Sequence, residues 1–157
     1  RPPADGMVFT GSLRYSPNYE SVLYFARELG PHLEAQGLPC RLDVIGFHDD
    51  RDRGLPEKYV RLLGYVDDLE AELSRYAIFL APILSGSGIK TKIVEALMAG
   101  LVVVSTSEGA AGLDIQSPTQ FLEWSTPEEL AGHLRRLSRD PASGRRIADA
   151  GRLYAEA

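Results

Sequence analysis

The run Leu101-Val102-Val103-Val104 and its earlier counterpart Ala77-Ile78-Phe79-Leu80-Ala81 are apolar at every position. A strand with one wet face alternates apolar and polar residues, so these two must be covered on both faces. That is the signature of strands inside a parallel sheet wrapped by helices. Between them, Ile89 to Ala99 has helical periodicity and Gly100 stops it. The rest of the chain repeats the alternation. Met7 to Thr10 reads as a first strand. Asn18 to about Gln36 reads as a helix, with Val22, Phe25, Ala26, Leu29 and Leu33 on one face, Pro17 in its first turn and Gly37 at its end. Leu42 to Gly46 and Tyr59 to Tyr65 are further strands, with a polar loop through Pro56 between them. Asp67-Asp68 supplies an N-cap for a short helix to about Arg75. A weak strand at Gln120 to Leu122 precedes two helices, about Pro127 to Ser138 and Ala142 to Ala155. Alternation with short connections predicts an α/β fold, Rossmann-like and doubly wound. It has a mostly parallel sheet of about six strands and helices on both faces.

Size and charge narrow the function. With 157 residues and 44% apolar positions the chain is expected to form one domain, residues 1–157, around a single core. The net charge of −5 argues against nucleic acid as a partner. The longest apolar run, Ala77 to Leu84, contains Pro82 and is too short for a transmembrane segment. One cysteine, Cys40, excludes an internal disulfide framework, and with no signal segment in view the expected location is cytoplasmic. His32, His48 and His133 show no ligand spacing. Asp50-Arg51-Asp52 sits in a charged run that reads as a solvated loop, so no metal is expected. Trp124 reads as packing.

In an open α/β sheet, ligands bind outside the carboxyl ends of the strands. Ser85-Gly86-Ser87-Gly88 should lie there, between the fourth strand and its helix. Its glycines let a phosphate approach the backbone, and the helix N-terminus behind it offers free N–H groups. The chain has 14 Arg but only three Lys, and two of these, Lys90 and Lys92, fall in the first turn of that helix. Ile89, Ile93, Val94, Ala96 and Leu97 would form its buried face. Cations at this end oppose the helix dipole by about 0.3–1 kcal/mol each, which makes sense if an anion sits between them. The alternative is a solvated pair, with Lys92 reaching Glu95. Glu95 either accepts from ribose hydroxyls or partners Lys92 or Thr91. The loop is neither a Walker A motif nor a three-glycine dinucleotide fingerprint. Glu108 to Leu113, after the fifth strand, should face the same cleft or form a plain turn.

The stretch from Ala81 to Thr106, APILSGSGIKTKIVEALMAGLVVVST, resembles the signature region of group 1 glycosyltransferases of GT-B architecture. Phe9 to Leu13 with Pro17-Asn18, and Leu63 to Asp68, agree with it in order and spacing. The resemblance spans about residues 7 to 140 and implies the C-terminal, donor-binding half of such an enzyme. Glu95 resembles the second glutamate of the family's motif, which contacts the donor ribose. The first glutamate would fall at Ser87, and its absence resembles the subgroup whose Gly-Ser-Gly loop is followed by basic residues, here Lys90 and Lys92. Gly86, Ser87 and Gly88 would then carry the donor diphosphate. The family's diphosphate clamp follows the first-strand glycine, Gly11; Ser12 stands at the Arg position and Asn18 near the Lys. Arg14 is a candidate substitute or a solvated loop residue. Gly64-Tyr65-Val66-Asp67 resembles the segment whose backbone touches the nucleobase.

What the resemblance implies is transfer of a hexose-type sugar from a nucleotide-diphosphate sugar, in glycan or polysaccharide biosynthesis, with Lys90 as the catalytic charge and no metal or other cofactor. A GT-B enzyme also needs an N-terminal acceptor-binding half. Arg1-Pro2-Pro3 reads as a linker, so this polypeptide is expected to bind donor but not to turn over alone, and membrane-surface association of the full-length protein stays open. Two other readings stand beside this one: half of a sugar-nucleotide epimerase, and a non-catalytic doubly wound module that binds a protein partner.

Overall fold

The computed structural model describes residues 6–157; the linker-like Arg1-Pro2-Pro3 lies outside them. Six strands form one sheet in the order β3-β2-β1-β4-β5-β6. They are β1 (Met7–Thr10), β2 (Leu42–Ile45), β3 (Val60–Gly64), β4 (Ile78–Ala81), β5 (Val102–Ser105) and β6 (Leu122–Glu123). Every pairing is parallel, with Met7 opposite both Leu42 and Ile78. The two apolar runs that announced the fold are β4 and β5, and all four residues of each are buried. Phe9 and Phe79 meet across β1 and β4 with ring centroids 6.0 Å apart. Burying such a side chain contributes about 1.5–3 kcal/mol.

The helices are α1 (Ser16–Tyr24), α2 (Gly30–Ala35), α3 (Leu69–Leu73), α4 (Thr91–Met98), α5 (Ser107–Ala110), α6 (Pro127–Arg139) and α7 (Pro141–Glu156). Asp68 caps α3 by accepting from the Ala71 N–H, and Thr126 with Glu129 forms a capping box at α6. The expected single helix from Asn18 to Gln36 is instead α1 and α2 joined by a π-helical turn, Phe25–Leu29. Its cause is Gly30-Pro31. Pro31 has no N–H and its ring would strike a carbonyl one turn back, and the widened turn absorbs both defects. Gly30 also faces the Tyr59 ring, which would lie 2.7 Å from any Cβ there.

The sheet grows from β1 through β2 to β3, then the chain crosses back to place β4 on the other side of β1. Right-handed crossovers put the helices of the two halves on opposite faces. The carboxyl ends of β1 and β4 therefore flank a crevice at the point where strand order reverses, the place where such sheets bind ligands. No helix among the described residues is long and apolar enough to cross a membrane.

Candidate functional site

Two loops meet at that crevice. After β1 come Gly11 to Tyr15 and the first turn of α1; after β4 come Pro82 to Lys90 and the first turn of α4. Together they line a cleft of about 200 Å³, bounded by Tyr15, Asn18, Ile83, Gly86, Lys90 and Lys92 among others. Gly86 has φ +130°, a conformation side chains rarely adopt, and a Cβ there would lie 3.5 Å from Cε of Lys90. Lys90 thus folds back over a bare backbone.

Helix α4 begins two residues later than its periodicity suggests. Lys90 is its N-cap, without a side-chain capping bond, and no acidic residue occupies the first turn. Ile89, expected on the buried face, precedes the helix and is 55% exposed, lying over Gly112 instead. Val94 is only half-buried, while Ile93, Ala96 and Leu97 are buried as expected. The uncapped N–H groups and two ammonium groups make this end of α4 strongly electropositive.

The two lysines are held differently. Lys90 Nζ donates to the Glu108 carbonyl at 2.9 Å, tying the loop to the first turn of α5. The segment from Glu108 is therefore partly helical rather than a plain loop, with Thr106 capping α5 and donating to the Ile83 carbonyl at 2.6 Å. Lys92 is half-buried; its Nζ donates to Asn18 Oδ1 at 2.8 Å and lies 5.4 Å from the Phe9 ring centroid. Burial holds its pKa below the ordinary lysine value, with Lys90 lowering it further and Glu95 opposing the shift. It bonds to Asn18 rather than to Glu95.

Gly86, Ser87, Lys90 and Lys92 thus share one cleft. Gly88 follows in the same loop with φ +74°. Gly11 and Ser12 border the cleft through Asn18, whose Nδ2 donates to the Ser12 carbonyl at 3.0 Å. Arg14 does not line it: the guanidinium lies 3.9 Å over the Phe47 ring and 3.6 Å from Asp49. Glu95 is exposed and lines a separate groove with Leu69, Leu73 and Met98. Tyr65 is 79% exposed after β3, and Val66 packs against the core. Asn18 is the site residue that sequence reasoning misses, because the family resemblance marks it only as standing near an absent lysine.

In the charged run, Asp50, Arg51 and Arg53 are exposed, as a solvated loop requires, and Asp52 is the exception. Asp52 is 1% exposed and accepts from the Asp49 N–H at 2.7 Å, while Arg51 stacks on Tyr19 at 4.6 Å. Among the described residues no group of three or more His, Cys, Asp or Glu is gathered as a metal site requires. Trp124 is buried and stacks on Tyr24.

Solved structures share this architecture. The HepE protein of Anabaena, crystallised with UDP, superposes with a TM-score of 0.74 at 17% identity, covering 96% of this chain and 43% of HepE. The C-terminal domain of LpcC, a glycosyl transferase group 1 family protein of Francisella tularensis, superposes with a TM-score of 0.70 at 16% identity, covering 99% of this chain and 86% of that domain. A curated relative from Klebsiella pneumoniae, an uncharacterized 44.6 kDa protein in the cps region, is 22% identical over 155 residues, which is 90% of this chain and 39% of the relative. The chain thus spans about two fifths of that relative's length. The family described as glycosyl transferases group 1 matches residues 4–140, including both cleft loops and the strands that carry them, and this chain belongs to it.

Proposed function

We propose that this chain is the donor-binding domain of a glycosyltransferase acting on a nucleotide-diphosphate sugar. One observation carries the reading: two ammonium groups, a glycine loop and an uncapped helix end converge on the crevice where strand order reverses. In sugar transfer the bond between the anomeric carbon and a diphosphate oxygen breaks, and its electron pair leaves on the diphosphate. Lys90, with Lys92, stabilises that developing charge, an electrostatic role that needs no metal. The diphosphate lies along Gly86 to Gly88, and Glu95 is assigned the ribose. The backbone of Tyr65 and Val66 is assigned the nucleobase, and the turn at Gly11 and Ser12 borders the phosphates. Arg14, engaged by Phe47 and Asp49, is not assigned a phosphate contact.

Residues 1–157 act here as one domain, and the acceptor site belongs to the remainder of a longer enzyme, as the partial coverage of relatives supports. The product is assigned to glycan or polysaccharide synthesis on the strength of the glycosyl transferase family match. The half-buried single cysteine fits a cytoplasmic domain.

A thermal-shift panel of UDP, GDP, ADP, NAD and inorganic phosphate tests this reading. A ligand at about 100 times its Kd adds about 2.7 kcal/mol. The expected result is a shift with one nucleoside diphosphate, UDP being tried first, and none with NAD or phosphate. No shift with any of the diphosphates would overturn the reading.

A further inference from the structure

Asn18 is only 6% exposed, and both ends of its amide are engaged. Nδ2 donates to the Ser12 carbonyl at 3.0 Å, and Oδ1 accepts from Lys92 Nζ at 2.8 Å. The orientation is dictated by chemistry, because an ammonium only donates and a carbonyl only accepts. One side chain therefore joins three segments that meet at the crevice: the turn after β1, the first turn of α1 and the first turn of α4. Gly11 is shaped around it, since a Cβ at Gly11 would lie 2.5 Å from Nδ2.

The partner's neutrality matters. A half-buried lysine would ordinarily be expected to meet a carboxylate, which would cancel its charge. Lys92 hydrogen-bonds an amide and Glu95 acts on it only through space, so its position is fixed by a partner that carries no charge. Among the described residues Asn18 is its only side-chain hydrogen-bond partner. Its ammonium also lies 5.4 Å from the Phe9 ring centroid, which restricts the side chain further. Lys90, by contrast, is held by a backbone carbonyl, that of Glu108, with no side chain as partner.

We infer that Asn18 is a positioning residue that holds the Lys92 ammonium through a neutral hydrogen bond, as the fixed charge facing the donor's diphosphate. This rests on the donor-binding reading above. Where the family resemblance places a lysine near position 18, this chain carries an amide that aims a lysine supplied by α4.

The test is titration calorimetry of wild type, Asn18→Asp, Asn18→Ala, Lys92→Met and the Asn18→Asp/Lys92→Met pair, with UDP and with inorganic diphosphate as probes. Melting temperatures identify which variants fold. Asn18→Asp should neutralise Lys92 and weaken both probes about tenfold or more, and Asn18→Ala about tenfold, the scale of a hydrogen bond to a charged group. In the Lys92→Met background, Asn18→Asp should weaken binding much less than it does in wild type, the remainder being repulsion by a carboxylate on the cleft wall. With only three lysines in the chain, the 15Nζ resonance of Lys92 is assignable by substitution. It should move on diphosphate addition in wild type and stay put in Asn18→Asp. Wild-type-like binding by both Asn18 variants, or equal weakening with and without Lys92, would overturn the inference. If wild type itself binds neither probe, the donor-binding reading fails first and takes the inference with it.

Discussion

At the amino edge of the sheet, Asp43 on β2 is almost enclosed and its acceptors are engaged. Arg61 donates to both its oxygens at 3.1 and 2.6 Å, the Tyr76 hydroxyl donates at 2.6 Å, and Arg41 stands 3.9 Å away. At the carboxyl edge, Lys92, only half-buried, has one neutral amide. The first arrangement closes charge upon charge and serves stability. The second spends structure on keeping a charge open, which is sensible only where something from outside completes it. Opposite edges of one sheet are thus built to opposite rules, and the difference separates scaffold from site without reference to any relative.

If that division is right, substitutions at the two edges should fail in different assays. The largest effect is expected at the carboxyl edge: Lys90→Ala with Lys92→Ala should weaken nucleoside diphosphate binding about 100-fold or more by calorimetry. The melting temperature should fall by only about a few degrees, because losing the Lys92 bond to buried Asn18 is partly offset when two cations leave the positive end of α4. A collapse of stability instead would break the comparison. Next comes Asp43→Ala, expected to cost about 2 kcal/mol in urea unfolding. That is less than for a wholly buried pair, since Arg61 can turn to solvent. Nucleotide affinity should not change.

The smallest expected effect sharpens the amino edge by pH. Burial, then the bond to Asp43, pushes the Tyr76 hydroxyl from 10.0 up to about 12. The folded state therefore favours the neutral phenol. Its contribution is complete below pH 10.0, the unfolded value, and is lost as pH rises toward about 12. Unfolding curves across that window should show the loss in wild type and a shallower one in Tyr76→Phe.

Much of the fold was legible because burial on two faces leaves no polar residue in β4 and none in β5 before its last, Ser105, and because Pro17, Gly37, Asp68 and Gly100 mark element ends by local chemistry. The π-helical turn was not, since periodicity registers apolar spacing and passes over Gly30-Pro31. Ile89 misled for a related reason: its spacing from Ile93 fits a helix that, in fact, starts after it. The glycine loop and paired lysines were visible because they are contiguous. The Asn18–Lys92 bond joins residues 74 apart, and no local pattern announces it. Asp52 was hidden among charges whose run suggested solvent, although its carboxylate caps the turn beneath it.

The register of β1 sets a timetable for synthesis. Met7 pairs with Leu42 on one side and with Ile78 on the other, so the strand at the middle of the finished sheet waits for β4 to be made before its second edge is covered. Until then a nascent β3-β2-β1 sheet would present Met7-Val8-Phe9-Thr10, all buried in the final fold, as an open template for another chain. Parallel pairing at such separation also closes slowly. The crevice therefore cannot form while the first half stands alone, and the same event that shields the vulnerable edge on the ribosome brings Lys92 to Asn18.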